Sequence, residues 1–130
     1  MNTFLKTWTT GTPGIKLVFE HFLTLFSKNG DVTLDFKERP GVSYSLRARH
    51  INQKNRTLFV LVDVIDDDPD NRWLSVCFYE DMITDPESRG DLVPGGLLGE
   101  DGYCFDMDDP GSASYIEARI RQAMESAGRG

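Results

Sequence analysis

Cys77 and Cys104 are the residues in this chain best suited to chemistry by type, since a pair of thiols on neighbouring strands could run redox exchange. No C-x-x-C spacing accompanies them, and small buried structural cysteines are the commoner arrangement. They give no disulfide framework, and two cysteines fit a cytoplasmic protein. His21 and His50 sit in no motif with a Cys, Ser or acid, so neither structural zinc nor a nucleophilic triad is indicated. Asp63 can meet Arg47 or Arg49 across strands, where a salt bridge is the simpler reading and a site pair the sharper one. No G-x-S-x-G, H-E-x-x-H or paired-acid hydrolase pattern occurs.

Asp66, Asp68 and Asp70 form D-x-D-x-D, which is similar to the start of an EF-hand loop. The likeness stops there. Asn71 stands where glycine is needed, Cys77 where the bidentate Glu is needed, and Pro69 lies inside. A solvated hairpin turn is expected, with these three acids as weak candidates for a hard cation. Gly95, Gly96, Gly99 and Gly102 match neither phosphate-binding glycine pattern, and Glu100 and Asp101 would repel a phosphate. No cofactor is implied.

The elements that must position these residues read clearly in places. Thr12-Pro13 predicts an N-cap and first helical residue. Ile15, Val18, Phe19, Phe22, Leu23 and Phe26 then recur at helical spacing as far as Gly30, with Leu17 falling on the polar side. After Gly30 the period becomes two. Val32, Leu34 and Phe36 alternate with polar residues, Pro40-Gly41 turns, and Val42, Tyr44, Leu46 and Ala48 alternate again. TLFVLVDVI, RWLSVCFY and GYCFDMD supply three further strands. Ser114 and Glu117 predict a capping box for a last helix with an Ile116, Ile120, Ala123 stripe, ended by Gly128.

These elements predict one α+β domain over residues 1–130, with residues 1–11 as an N-terminal arm. Its core is a five-stranded antiparallel sheet with both helices on one face. The helix–sheet–helix order is similar to the frataxin-like architecture, whose members bind iron through acids mainly on the first helix and first strand. This first helix offers only Glu20, so the resemblance implies a fold rather than an iron site.

Alternation assigns the faces. With Leu46, Val60, Val62, Leu74, Val76, Phe78 and Phe105 toward the helices, the opposite face carries two groups. One is Ser45, Arg47, Arg49, Phe59, Leu61 and Asp63. The other is Trp73, Ser75, Cys77, Tyr79, Cys104 and Asp106. That mixture differs from an open solvated face. The long segment 80–102, rich in Pro, Gly and acids but carrying Leu92, Val93, Leu97 and Leu98, is expected to cover it as a lid or to complete a second small core.

Composition narrows the function. The net charge is −7, with 9 Lys/Arg against 4 Asp/Glu in residues 1–60, and 5 against 17 afterwards. Nucleic acid is disfavoured and a basic partner favoured. No apolar run is long enough to span a membrane, and the N-terminus lacks a signal-peptide layout. The reading is a non-enzymatic binding module for a protein or small molecule, using Arg47, Asp63, Trp73, Cys77, Tyr79, Cys104 and Asp106. A cation-binding acidic domain and an enzyme with Cys77 or Asp63 under the loop are the alternatives.

Overall fold

Residues that point inward along each strand decide how the layers stack. A computed structural model describes all residues, 1–130, and its order is α1 (Asn2–Thr7), α2 (Ile15–Ser27), β1 (Val32–Arg39), β2 (Ser43–His50), β3 (Val60–Ile65), β4 (Trp73–Tyr79), β5 (Asp91–Leu97), β6 (Glu100–Met107) and α3 (Ala113–Gly128). The six strands form one open antiparallel sheet in the order β1-β2-β3-β4-β6-β5. The inward series Leu46, Val62, Val76 and Phe105 lies in register across β2, β3, β4 and β6, and all four are buried. Onto it pack Phe19, Phe22 and Phe26 of α2 and Ile116, Ile120 and Ala123 of α3, in one continuous core. No helix is long and apolar enough to cross a membrane.

Several expectations are corrected. The sheet has six strands, not five, because part of the segment 80–102 pairs with β6 as β5. Pro94, Gly95 and Gly96 interrupt its alternation, and the ladder slips between Val93 and Leu97. The β5–β6 hairpin closes on Leu98 and Gly99, both at positive φ, which is the two-residue turn whose twist suits adjoining strands. Leu98 is therefore at an exposed tip, whereas Leu97 is buried over Gly102, where an added Cβ would come within 3.2 Å of it. The segment extends the sheet edge instead of covering the outer face.

The arm is also structured. Asn2–Thr7 is helical, and Phe4 stacks on Tyr44 with centroids 3.9 Å apart while Trp8 packs beside Phe19. Helix α2 begins at Ile15 with Gly14 as its N-cap, rather than at Pro13 behind a Thr12 cap. Gly14 takes a left-handed turn, φ 91°, that brings it against Pro110, a conformation that disfavours any side chain. Glu117 does not cap α3. It binds His21 and Arg121, tying α3 to α2, while Asp109 caps the preceding turn through the Gly111 amide.

Candidate functional site

The strand register places the expected site residues on one sheet face. One row across it reads Asp35, Arg47, Leu61, Cys77, Cys104 and Asp91, from β1 to β5. The next reads Lys37, Ser45, Asp63, Ser75 and Asp106, and a third ends in Ile65 beside Trp73. All three helices lie on the other side. Leu61, Ile65, Trp73, Cys77 and Cys104 are half-buried by their neighbours, and Asp91 and Asp106 are exposed.

Two members of that list behave differently from expectation. Cys77 and Cys104 are directly opposed and joined as a disulfide, so neither is a free thiol. Their Cα atoms are 4.1 Å apart, as in the close, non-hydrogen-bonded pairs of an antiparallel ladder. A Cys77 thiolate nucleophile is thereby excluded while the bond is intact. Disulfides persist mainly in oxidising compartments, so the two cysteines do not support the cytoplasmic expectation. Tyr79 keeps its predicted face but is closed off. The Arg56 guanidinium sits 4.1 Å above its ring, and burial raises the phenol's pKa. Phe59 is on the wrong list altogether. It precedes β3 and packs edge-on against Phe26 of α2, within the core.

Charge on this face is divided. Strands β1 and β2 present Lys37, Arg39, Arg47 and Arg49 with Asp35 as their one acid, whereas β3, β6 and β5 present Asp63, Asp106 and Asp91 with no base. The expected Asp63–Arg47 contact is not an ion pair. Asp63 accepts from the Ser45 hydroxyl, and Arg47 Nε is buried without a partner. Burial pushes the Asp63 carboxyl above its usual range, against weaker downward pulls from Ser45, Arg39 and Arg47.

The aspartate turn is not a cation site. Asp66 is buried and ion-paired to Arg72 at 2.7 Å, and it also accepts from the Gly41 amide at 2.8 Å. Asp68 accepts from the Asp70 amide and the Asn71 side chain, and Asp70 from the Thr10 hydroxyl. The three carboxylates do not converge, and no group of three or more acids, His or Cys is placed to hold a metal.

Two clusters escaped the sequence reading. Arg56 binds Asp81 at 2.7 Å and Glu100 at 2.8 Å, beside an open groove of about 590 Å³ that the end of α3 completes. Asp85 accepts four hydrogen bonds, from the Tyr115 and Tyr103 hydroxyls and from the Arg89 and Gly90 amides. Burial opposes its ionisation, but these donors prevail and hold its carboxyl far below the usual range; the Tyr103 hydroxyl is pushed up to about 12 chiefly by that bond. The two tyrosines lie 18 and 30 residues away, so no local pattern signals their part in the clasp.

Compared with known protein families, characterised proteins and solved structures, the chain matches none.

Proposed function

We propose that this protein is a small non-enzymatic binding module whose partner sits on the sheet face opposite the helices. The observation that carries this reading is what the face exposes. No element of the chain lies over it, yet its centre holds Leu61, Ile65, Trp73 and the Cys77–Cys104 disulfide rather than the Lys, Glu and Thr of a solvated sheet. Half-exposed aromatic and aliphatic side chains framed by Arg and Asp have the composition of a recognition surface. The segment 80–102 contributes its edge through Asp91 and Val93. The acidic margin disfavours nucleic acid, whose phosphates need a continuous basic footprint.

Hydroxyl-radical footprinting tests the reading. Trp8 is buried, so Trp73 is the reactive indole in dilute purified protein. Its oxidation should fall several-fold when the partner is present, in lysate of the cells that express the protein or in concentrated purified protein. Trp73→Ala should abolish partner retention while leaving the far-ultraviolet circular dichroism unchanged. Equal oxidation of Trp73 under every condition would sink the reading.

A further inference from the structure

We infer that the occupant of this face is a second copy of the same chain, packed sheet to sheet about a two-fold axis parallel to the strands. The inference rests on the binding reading above and gives that surface a partner. Its warrant is the order of charges across the sheet. Basic strands β1 and β2 lie at one edge, acidic β6 and β5 at the other, and β3 and β4 in the middle. A closed dimer needs a self-complementary patch. Rotation about an axis running along β3 and β4 lays β1–β2 of one copy over β6–β5 of the other. Lys37 and Arg49, one row to either side of Asp91 along the strands, then face the margin that holds Asp91 and Asp106, and the reverse, while Asp35 shares the row of Asp91 as the one like-charged member of that margin. The perpendicular in-plane axis would stack like charge on like charge, so the charge order selects the axis as well as the partner.

The residues on the axis fit the same arrangement. Leu61 and the disulfide at one end and Ile65 and Trp73 at the other give β3 and β4 two apolar patches between the charged margins, with Asp63 and Ser75 between them. An apolar middle with a charged rim is the ordinary anatomy of an interface. Aligned sheets pack this way about 10 Å apart. Six strands at about 4.8 Å spacing and about 20 Å long offer on the order of 600 Å² per copy, close to the lower bound of about 1,200 Å² total for a specific complex. Edge-to-edge pairing is the competing self-association, and both edges resist it. β1 presents Asp35, Lys37, Glu38 and Arg39, and β5 carries Pro94 and a bulge.

Sedimentation velocity tests this on the whole protein with two charge-reversed variants, both altered at exposed positions. Lys37→Glu with Arg49→Glu makes both margins acidic, and Asp91→Lys with Asp106→Lys makes both basic. The wild type should be a dimer at about 200 μM, where a micromolar complex is complete. Each variant alone should bind itself about tenfold or more weakly, and an equimolar mixture should recover a one-to-one dimer. A wild type that is monomeric at that concentration would overturn the inference, as would variants that dimerise like the wild type or a mixture that fails to associate. The footprint separates this failure from that of the binding reading. Trp73 protected in lysate but not in concentrated pure protein refutes the second copy and keeps a foreign partner. Trp73 protected in neither refutes both.

Discussion

On the helix side of the sheet, Asp66 and Arg72 meet at 2.7 Å with both side chains almost out of solvent; on the open side, Asp63, three residues earlier in the chain and within β3, has only the Ser45 hydroxyl. Burial pushes both carboxyls up. At Asp66 the Gly41 amide and Arg72 outweigh it and the pKa falls, while at Asp63 the downward pulls are too weak and the pKa rises. Depth alone therefore does not decide the ionisation of a carboxylate in this sheet. The completeness of its donor set does. Asp66 has a full donor set within the chain, whereas on the outer face Asp63 has one donor and Arg47 Nε no partner; on the helix side Arg119 Nε and Nη1 of α3 are likewise buried without one.

The sharpest way to break this contrast is at Arg72. Its guanidinium also lies 5.0 Å from the Phe4 ring and 5.7 Å from Tyr44, so it pins α1 to the sheet. Arg72→Met should cost about 3–5 kcal/mol in urea unfolding at neutral pH, because Asp66 is left charged and buried. Adding Asp66→Asn should return much of the loss. A cost under about 1 kcal/mol for Arg72→Met would mean that the ion pair is not what keeps the Asp66 carboxylate charged in the buried site.

Next in size is the disulfide at the centre of the outer face. It closes a separation of 27 residues, for which the chain-entropy account gives about 3–4 kcal/mol. Melting in the presence of a reductant should show a drop of that order. An unchanged melting temperature would mean that the chain-entropy account does not describe this crosslink.

Much of the contrast between faces was legible in the residues, and the gaps have physical causes. Period-two alternation placed Leu46, Val62, Leu74, Val76, Phe78 and Phe105 inward correctly, because a one-residue slip would have turned the whole set to solvent. The same rule carried one step further reaches Asp66 after Val62 and Val64, and Arg72 before Leu74. The composition of DDDPDN suggested a solvated turn and hid that step. Phe59 failed because it precedes the strand, where alternation has no authority. The disulfide needed the register that sets Cys77 against Cys104, which spacing does not provide. Strand β5 was hidden by Pro94-Gly95-Gly96, and α1 by its six-residue length. The register puts Arg47, Asp63, Trp73 and Asp106 on one sheet face, which is uncovered rather than beneath a lid.

A smaller effect sharpens the role of donor sets away from the core. Asp85→Ala leaves two tyrosine hydroxyls and two amides without their acceptor and frees the turn before β5. It should cost on the order of 2 kcal/mol after allowance for solvent access. The sign with pH follows from the shifts. Asp85 is depressed in the folded state, so its contribution is full above the unfolded value near 4 and fades as pH falls toward the folded one. Tyr103 is raised to about 12, so its contribution is full below about 10 and is lost as pH rises through the folded value. Stability profiles of the wild type and Tyr103→Phe should differ in the alkaline limb. Superimposable profiles would show that the hydroxyl adds nothing to the clasp.

The smallest expected change has the opposite sign and tests the outer face directly. Asp63 has a raised folded-state pKa, so its protonated form is the one the fold favours. Its contribution to stability is present below the unfolded value near 3.9 and is lost as pH rises through the folded value. At neutral pH the charged carboxylate is therefore a cost to the isolated chain. Asp63→Asn keeps an acceptor for the Ser45 hydroxyl and removes the charge. It should raise stability at pH 7 by on the order of 0.5 kcal/mol, with the gain vanishing near pH 3, where the aspartate is already protonated. Paired urea titrations at the two pH values read this as a difference, which cancels errors common to both. A loss at pH 7 would mean that Arg39 and Arg47 compensate Asp63 more fully than its raised pKa implies. The outer face would then be as complete in its charges as the inner one, and the case for a partner would have to stand on Leu61, Ile65 and Trp73 alone.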